Sequence, residues 1–300
     1  MVIRFLPGFT VMDGEGDICW ASPHSGPSLR FSDSRDDRSD LVAHLCWEKL
    51  GGRLVISNVS RMRDLGVDLN RAAPDAETAI SMFRKYAGNV KEQDACYDYR
   101  KKYAWVAADR RDHESRLGVY RAFWTEVGAY NTAVMVHRMF TTPSTAGSVM
   151  DLLTRGFDGK AVENTVRKVN MRYAKFLRSI KPDMTRFMQL EEKRNIDFIE
   201  RTPPDEIETE FVNNIERHKS ILGVRKNSEI DEAIGRFMKG ISPKITYRNI
   251  FSGSKSYGIE NPELRGKNII QAEVTSFLGF WYPDVAAEML CMVTEELAGV

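Results

Sequence analysis

Short apolar runs alternate with amphipathic helical stretches along most of this chain of 300 residues. This alternation is typical of a sheet covered by helices, because each apolar strand needs neighbouring elements to bury it. The predicted strands are residues 2–6, 17–22, 53–57, 104–107, 132–137 and 268–275. The sequence therefore predicts an α/β fold in which a mixed sheet is flanked by helices on both faces.

A highly charged middle segment, residues 160–245, differs from the rest of the chain. Pro182, Pro203 and Pro204 interrupt it, and its apolar spacing is helical. We interpret it as a helical insertion or cap within a single domain that spans residues 1–300. The predicted helices are 161–180, 205–222 and 229–239 inside this segment, and 39–50, 74–86, 111–127 and 283–297 outside it.

Composition excludes several classes of protein. Hydrophobic residues make up 42% of the chain and charged residues 28%, as in an ordinary globular domain. A net charge of +1 argues against a surface built for nucleic acid. The chain contains neither a run of about 20 apolar residues that could span a bilayer nor a signal peptide, so we expect a cytoplasmic protein without a membrane partner. The four cysteines lie far apart without a Cys-x-x-Cys pair, which argues against a zinc ribbon.

Three chemically useful side chains lie at or near the ends of predicted strands. His24 follows an apolar run, within the turn Pro23-His24-Ser25-Gly26, and His137 ends a second run. Glu273 interrupts a third. Two histidines and a carboxylate can hold a catalytic zinc, and a second carboxylate can act as general base. The alternative is that each is structural: a satisfied core histidine, or a glutamate in an ion pair.

A second motif, Asp68-Leu69-Asn70-Arg71, sets a carboxamide beside a guanidinium. A planar guanidinium binds a carboxylate through two hydrogen bonds, so Asn70 and Arg71 are candidates for gripping a substrate carboxylate. The alternative is a polar turn.

The two motifs together resemble the N-formylglutamate amidohydrolase family, whose fold is similar to that of the zinc carboxypeptidases and of the phosphorylase/hydrolase class. The resemblance implies that His24 and His137 bind the metal with a carboxylate from the acidic cluster Asp33, Asp36 and Asp37, where Asp36 and Asp37 are favoured equally. That cluster could instead be a solvated loop that caps the following helix.

The resemblance also implies roles for the remaining residues: Glu273 is the general base, and Arg61 joins Asn70 and Arg71 in holding the substrate carboxylate. The expected cofactor is Zn²⁺, with Mn²⁺, Co²⁺, Fe²⁺ or Ni²⁺ as alternatives. The expected function is metal-dependent hydrolysis of a C–N amide bond in a small carboxylate-bearing substrate. The sequence leaves the oligomeric state open.

The chain departs from the family at two positions. The family's second histidine usually lies in an Asp-x-His-Ser pattern, whereas Arg138 follows His137 in this chain. A histidine often follows the tyrosine of the preceding helix, whereas Arg121 follows Tyr120. The first departure, Arg138 beside His137 without the family's aspartate, favours the alternative function, a catalytically inactive member of the fold that binds a ligand or a protein. A metal-independent enzyme that uses the same pocket also stays open.

Overall fold

The structure, a computed structural model, describes residues 2–28, 35–251 and 257–299. Within these residues eight strands form one mixed sheet, in the order β1-β2-β4-β3-β5-β8-β6-β7. The strands are β1 Val2–Leu6, β2 Phe9–Asp13, β3 Ile18–Ser22, β4 Arg53–Ser57, β5 Thr132–Met139, β6 Ser148–Arg155, β7 Lys244–Tyr247 and β8 Asn268–Thr275.

The helices surround this sheet. They are α1 Ser39–Leu50, α2 Ala76–Tyr86, α3 Val90–Asp94, α4 Tyr97–Lys102, α5 Arg110–Val127, α6 Gly159–Arg172, α7 Ala174–Ser179, α8 Lys181–Arg201, α9 Thr209–Leu222, α10 Ile230–Lys239, α11 Tyr257–Glu260, α12 Ser276–Trp281 and α13 Pro283–Ala298. None of the helices in the described part of the chain is both long and apolar enough to cross a bilayer.

Helices cover both faces of the sheet, as predicted. Successive residues of a strand point to opposite faces. Val134 and Val136 of β5 accordingly belong to a core that includes side chains of α1, α6 and α13. Ala133 and Met135 belong to a second core, which includes side chains of α2 and α5. The α/β class with a mixed sheet is therefore confirmed.

The central strands β4, β3, β5 and β8 run parallel to one another. Their carboxyl ends therefore meet at one edge of the sheet. The outer strands β2 and β6 each run antiparallel to this central group. In the parallel pair β5–β8, His137 lies directly opposite Glu273, so the strand register alone makes these two residues neighbours.

The prediction of a strand at residues 104–107 is wrong. This apolar run is buried, but its backbone bonds to loops and to a helix: Ala104 N donates to Ala72 O at 2.8 Å, and Ala107 N to Ala79 O at 3.2 Å. A short buried apolar run looks the same in sequence whether it lies in a sheet or under helices.

Pro182 lies at a break between two helices, as predicted, because α7 ends at Ser179. It lies in the first turn of α8, which begins at Lys181. The missing N–H of a proline costs nothing there, because the first amides of a helix have no partner within the helix. Five helices, α6 to α10, connect β6 to β7.

The turn after β3 is fixed by close packing. The Ser25 hydroxyl donates to the carbonyl oxygens of Ser22 at 3.1 Å and Ser57 at 2.9 Å. A Cβ atom on Gly26 would lie 1.8 Å from the carbonyl oxygen of Val59, so only glycine fits at this position. The turn that carries His24 is thus tied to the end of β4.

We predict that Gly26→Ala lowers the free energy of unfolding by roughly 2–4 kcal/mol, because the backbone of Val59 must move. The matched control is Gly118→Ala on α5, where an added Cβ meets no atom within 4 Å. In this control the free energy of unfolding should rise by about 0.5–1 kcal/mol, because alanine has a higher helix propensity than glycine. Urea unfolding of both variants tests this, and equal stabilities would contradict the packing at Gly26.

Candidate metal centre

Three side chains that are distant in sequence meet at the carboxyl edge of the parallel strands. His24 lies in the turn after β3, His137 near the end of β5, and Asp36 in the loop before α1. One ligand atom from each lies within 4.8 Å of the other two, and all three side chains are buried. The rings of His24 and His137 pack edge to face, with their centroids 4.8 Å apart.

The Asp36 carboxylate joins the two imidazoles. Its Oδ2 atom lies 3.3 Å from His24 Nδ1 and 3.1 Å from His137 Nδ1. Two ligand atoms that share a tetrahedral zinc at about 2.0–2.1 Å lie about 3.3 Å apart. The two Asp36 contacts therefore fit either a shared metal or hydrogen bonds from the Nδ1 atoms, and the buried Nε2 atom of His137 is a further candidate ligand atom.

The structure separates the two carboxylates that the sequence leaves equivalent. Asp36 N donates to His24 O at 2.9 Å, and Asp36 O accepts from the backbone N and the hydroxyl of Ser39. Asp37 instead is half-buried and pairs with Arg35 and Arg138. Asp36, and not Asp37, lies in the group. Asp33 falls outside the described residues.

His137 supplies a test of whether this group suits a metal. Its Nε2 atom is buried and has no hydrogen-bond partner among the residues that the structure describes. Buried polar atoms in folded proteins nearly always have a partner, so such an atom indicates a missing one. Two imidazoles and one carboxylate are also donors that zinc accepts. The residues present therefore fit a divalent metal.

Charge keeps Asp36 ionised despite its burial. Burial raises the pKa of the Asp36 carboxyl, but the His24 charge and the hydrogen bonds from His137 and His24 outweigh it and hold this pKa well below its usual range. A carboxylate must be deprotonated to bind a metal. Asp36 is therefore in the form that a metal needs.

Asp68 is a candidate site residue to which the sequence reasoning gave no role of its own. Its Oδ1 atom lies 2.9 Å from His24 Nε2, on the side of the ring away from Asp36. Histidines that bind metals usually donate their other ring nitrogen to a carboxylate, which fixes the ring and its tautomer. The sequence contained a signal for Asp68, because it is the first residue of the motif that contains Asn70 and Arg71.

Arg61 binds Asp68 in the structure. Its Nε and Nη2 atoms donate to Asp68 Oδ2 at 3.2 and 3.1 Å, and its Nη1 atom lies 3.8 Å from Asp36 Oδ1. Burial raises the pKa of Asp68, but the Arg61, His24 and Arg71 charges outweigh burial and hold this pKa well below its usual range. A substrate carboxylate that binds Arg61 would therefore compete with Asp68 for its guanidinium group.

Arg61 and Arg71 line one small cavity of about 90 Å³ beside Asp68. Arg71 Nη1 donates to Asn70 O at 3.1 Å, and Asn70 N donates to Asp68 Oδ1 at 3.0 Å. The Nε atom of Arg71 and the Oδ1 atom of Asn70 are buried and have no hydrogen-bond partner within the described ranges. Three residues are predicted to hold the substrate carboxylate. Two of them, Arg61 and Arg71, line this cavity, and Asn70 does not.

Glu273 is buried on β8, directly opposite His137 on β5. Gln271 Nε2 donates to its Oε1 atom at 2.6 Å. Burial raises the pKa of Glu273, while the charge of His137 lowers it and that of Asp36 raises it further, for a net increase. A carboxylate with a raised pKa binds a proton more readily, as a general base requires.

Asp151 on β6 is a second residue that the sequence reasoning overlooked. It lies opposite Glu273 in the sheet and is fully buried. Its carboxylate accepts bonds from the Thr246 hydroxyl at 2.6 Å and from the backbone N–H groups of residues 249–251. Asp151 thereby holds the segment after β7 at this edge. The signal was a lone carboxylate within the apolar run of residues 149–153.

Comparisons with known proteins give no assignment. No family model matches the sequence, and no curated protein matches it. Among solved structures the chain is similar to a protein from Agrobacterium tumefaciens, described as gene product Atu2144, with a TM-score of 0.46 at 12% identity. The similarity covers 96% of this chain and 94% of that chain. Similarity at this level identifies neither family nor function.

We predict that Asp36→Asn lowers zinc affinity by more than roughly 100-fold, since even outer residues of a metal site contribute 10- to 100-fold. Asp37→Asn is the matched control and should leave affinity unchanged. The measurement is competition between chelator-treated protein and a chromogenic zinc chelator. Equal affinities of the two variants, or a loss confined to Asp37→Asn, would show that Asp36 is not a ligand.

Proposed function

We propose that this protein is a metal-dependent hydrolase that cleaves the C–N bond of an amide in a small carboxylate-bearing substrate. The observation that carries the proposal is the buried group of His24, Asp36 and His137, with Glu273 on the adjacent strand. The resemblance of the His24 and Arg71 motifs to the N-formylglutamate amidohydrolase family supports the same reaction.

His24, Asp36 and His137 would hold the metal, with Zn²⁺ as the first choice and Mn²⁺, Co²⁺, Fe²⁺ or Ni²⁺ as alternatives. A divalent metal at such a group supplies Lewis-acid chemistry, polarising a carbonyl and making water more acidic. Asp68 holds the ring of His24 through Nε2, and the Asp68 charge is balanced by Arg61. The ligand set is thus oriented before any substrate arrives.

Glu273 moves the proton in this proposal. As water adds to the amide carbonyl carbon, Glu273 accepts the proton that the water loses. The carboxyl then donates this proton to the leaving nitrogen while the C–N bond breaks, which gives a carboxylic acid and an amine; the acid's remaining proton passes to the amine, leaving a carboxylate and an ammonium group. Gln271 fixes the Glu273 side chain by a hydrogen bond at 2.6 Å, so the base is positioned in advance.

The cavity beside Arg71 would hold the substrate carboxylate. Its volume of about 90 Å³ suits one carboxylate group, and its lining is mostly basic. Arg71 Nε is a buried donor with no partner in the described part of the chain, so it is available to an anion. Arg61 lines the same cavity, and its charge adds to the attraction even while it binds Asp68.

A second candidate is a protein of the same fold that binds a ligand or partner and catalyses nothing. One observation favours it: Asp36 already accepts hydrogen bonds from His137 and from Arg138 N, so the group is largely satisfied by its own contacts. If the protein has this second function, we expect it to fold normally and to take up no zinc.

Turnover by Glu273→Gln tests the mechanism. With zinc bound, we expect this variant to lower kcat by roughly 10²–10⁴-fold, since the proton no longer has an acceptor. Zinc content should stay equal to that of the wild type, which separates loss of the base from loss of the metal. Amine release from N-formyl and N-acetyl amino acids is the assay. Undiminished turnover would show that Glu273 is not the base.

Recognition of the substrate carboxylate is tested by Arg71→Gln. We expect kcat/KM to fall roughly 10- to 100-fold for an N-acyl amino acid, the range of a hydrogen bond to a charged group. The neutral carboxamide of the same substrate should be hydrolysed equally by both enzymes. If the variant lost activity toward acid and carboxamide alike, Arg71 would have a structural role instead.

A further inference from the structure

A second cavity, of about 490 Å³, lies between the end of β5, helix α8 and helix α12. Arg138, Phe140, Glu191, Arg194 and Trp281 are among the residues that line it. Cavities that bind small molecules have volumes of roughly 300–1,000 Å³. The size is therefore that of a small-molecule site.

This cavity and the metal centre lie on opposite sides of β5. Val134 and Val136 pack in the core beneath α1 and α13, and Arg138 continues the same face because alternate residues of a strand share a face. His137 lies on the other face. The two sites meet where Arg138 N donates to Asp36 Oδ2 at 3.3 Å.

Aromatic side chains form much of the wall. Phe280 and Trp281, at the end of α12, are 40% and 45% exposed although both are large and apolar. Phe187 from α8 packs edge to face against Trp281, with centroids 5.7 Å apart, and so holds that ring in place. Exposed apolar side chains grouped beside a cavity indicate a binding surface, and flat rings suit a planar ligand.

Arg138 gives the cavity a buried positive charge. Its guanidinium lies over the ring of Phe140, 4.8 Å from the centroid. Its carboxylate partner, Asp37, lies 3.4 Å away and also pairs with Arg35. A strong guanidinium–carboxylate pair is closer, at about 2.7–2.9 Å. Arg138 is therefore held by a weak partner that a better carboxylate can replace.

Glu191 lies in the same wall and affects the charge of the cavity. Its Oε2 atom accepts the N–H of Thr141 at 3.0 Å. Burial raises the pKa of Glu191 to about 7, although hydrogen bonds from Ser276 and Thr141 and the charges of Arg138 and Arg194 oppose the rise. Below about pH 7 the Glu191 carboxyl is neutral. The charged groups of the cavity wall are then Arg138, Arg194 and Asp37, which give it a net positive charge.

We propose that this cavity binds a small aromatic carboxylate, whose carboxylate group pairs with Arg138 and whose ring lies among Phe140, Phe280 and Trp281. The guanidinium can form two parallel hydrogen bonds with such a group, which its present contact with Asp37 does not provide. The site goes beyond the proposed hydrolase function and does not need a metal.

The test is a ¹⁹F NMR titration of the full-length, chelator-treated protein with 4-fluorobenzoate. Arg138→Met should raise the Kd at least roughly tenfold, the effect of one lost charge-assisted pair. Trp281→Ala should raise it roughly three- to tenfold through the lost ring contact. The neutral probe 4-fluorobenzamide should bind at least roughly tenfold more weakly than the acid.

Arg236→Gln is the matched control, because it removes an exposed guanidinium on α10 that lines neither cavity, and it should leave the Kd unchanged. Should Arg138→Met not fold, Trp281→Ala and Arg194→Gln carry the test, since both of these side chains are exposed.

A pH series adds an independent readout. Affinity should fall between about pH 6 and about pH 8, because ionised Glu191 repels the ligand, and Glu191→Gln should remove this dependence. The charged groups around Glu191 are Arg138, Arg194 and Asp37.

Three results would overturn the proposal: no saturation up to about 10 mM probe, equal binding of the amide and the acid, or loss of binding in Arg71→Gln with no change in Arg138→Met and Trp281→Ala.

Discussion

The burial of one charge, the Asp36 carboxylate, constrains this whole edge of the sheet. A buried carboxylate is costly unless partners surround it. Asp36 finds them in His24 and His137, each within 3.3 Å of Oδ2, and in the backbone N–H of Arg138. Three separate parts of the chain are thereby held together: the turn after β3, the loop before α1 and the end of β5.

A chain of hydrogen bonds and ion pairs continues outward from Asp36. His24 lies between Asp36 and Asp68, and Asp68 lies against Arg61. Arg61 in turn lines the small basic cavity with Arg71. One connected network therefore reaches from the candidate metal-binding group to the proposed site of the substrate carboxylate. In the proposed hydrolase, a network fixed in advance would position substrate and reacting groups without rearrangement at each turnover.

Much of this edge could be predicted from the sequence because each main residue interrupts or ends an apolar run. His24, His137 and Glu273 are polar residues in segments that otherwise read as buried strands, and parallel strands bring such positions together. Strands β4 and β8 begin and end at the residues that the sequence predicts. The strand expected at 104–107 fails because burial under helices gives the same apolar signal.

The choice between Asp36 and Asp37 could not be made from sequence. Adjacent residues in a polar loop carry no periodicity, and the choice depends on bonds to Ser39 and to the distant Arg138. The pairing of Arg61 with Asp68 likewise depends on the folded path of the chain. Periodicity shows which face a residue occupies, but not which partner it meets there.

X-ray absorption at the zinc edge, on protein loaded with one equivalent of zinc, tests the central claim most directly. We expect only nitrogen and oxygen ligands at about 2.0–2.1 Å, with the outer-shell scattering of two imidazoles. Sulfur at about 2.3 Å would instead place the metal on cysteine and contradict a site at His24, Asp36 and His137. So would a folded protein that retains no zinc.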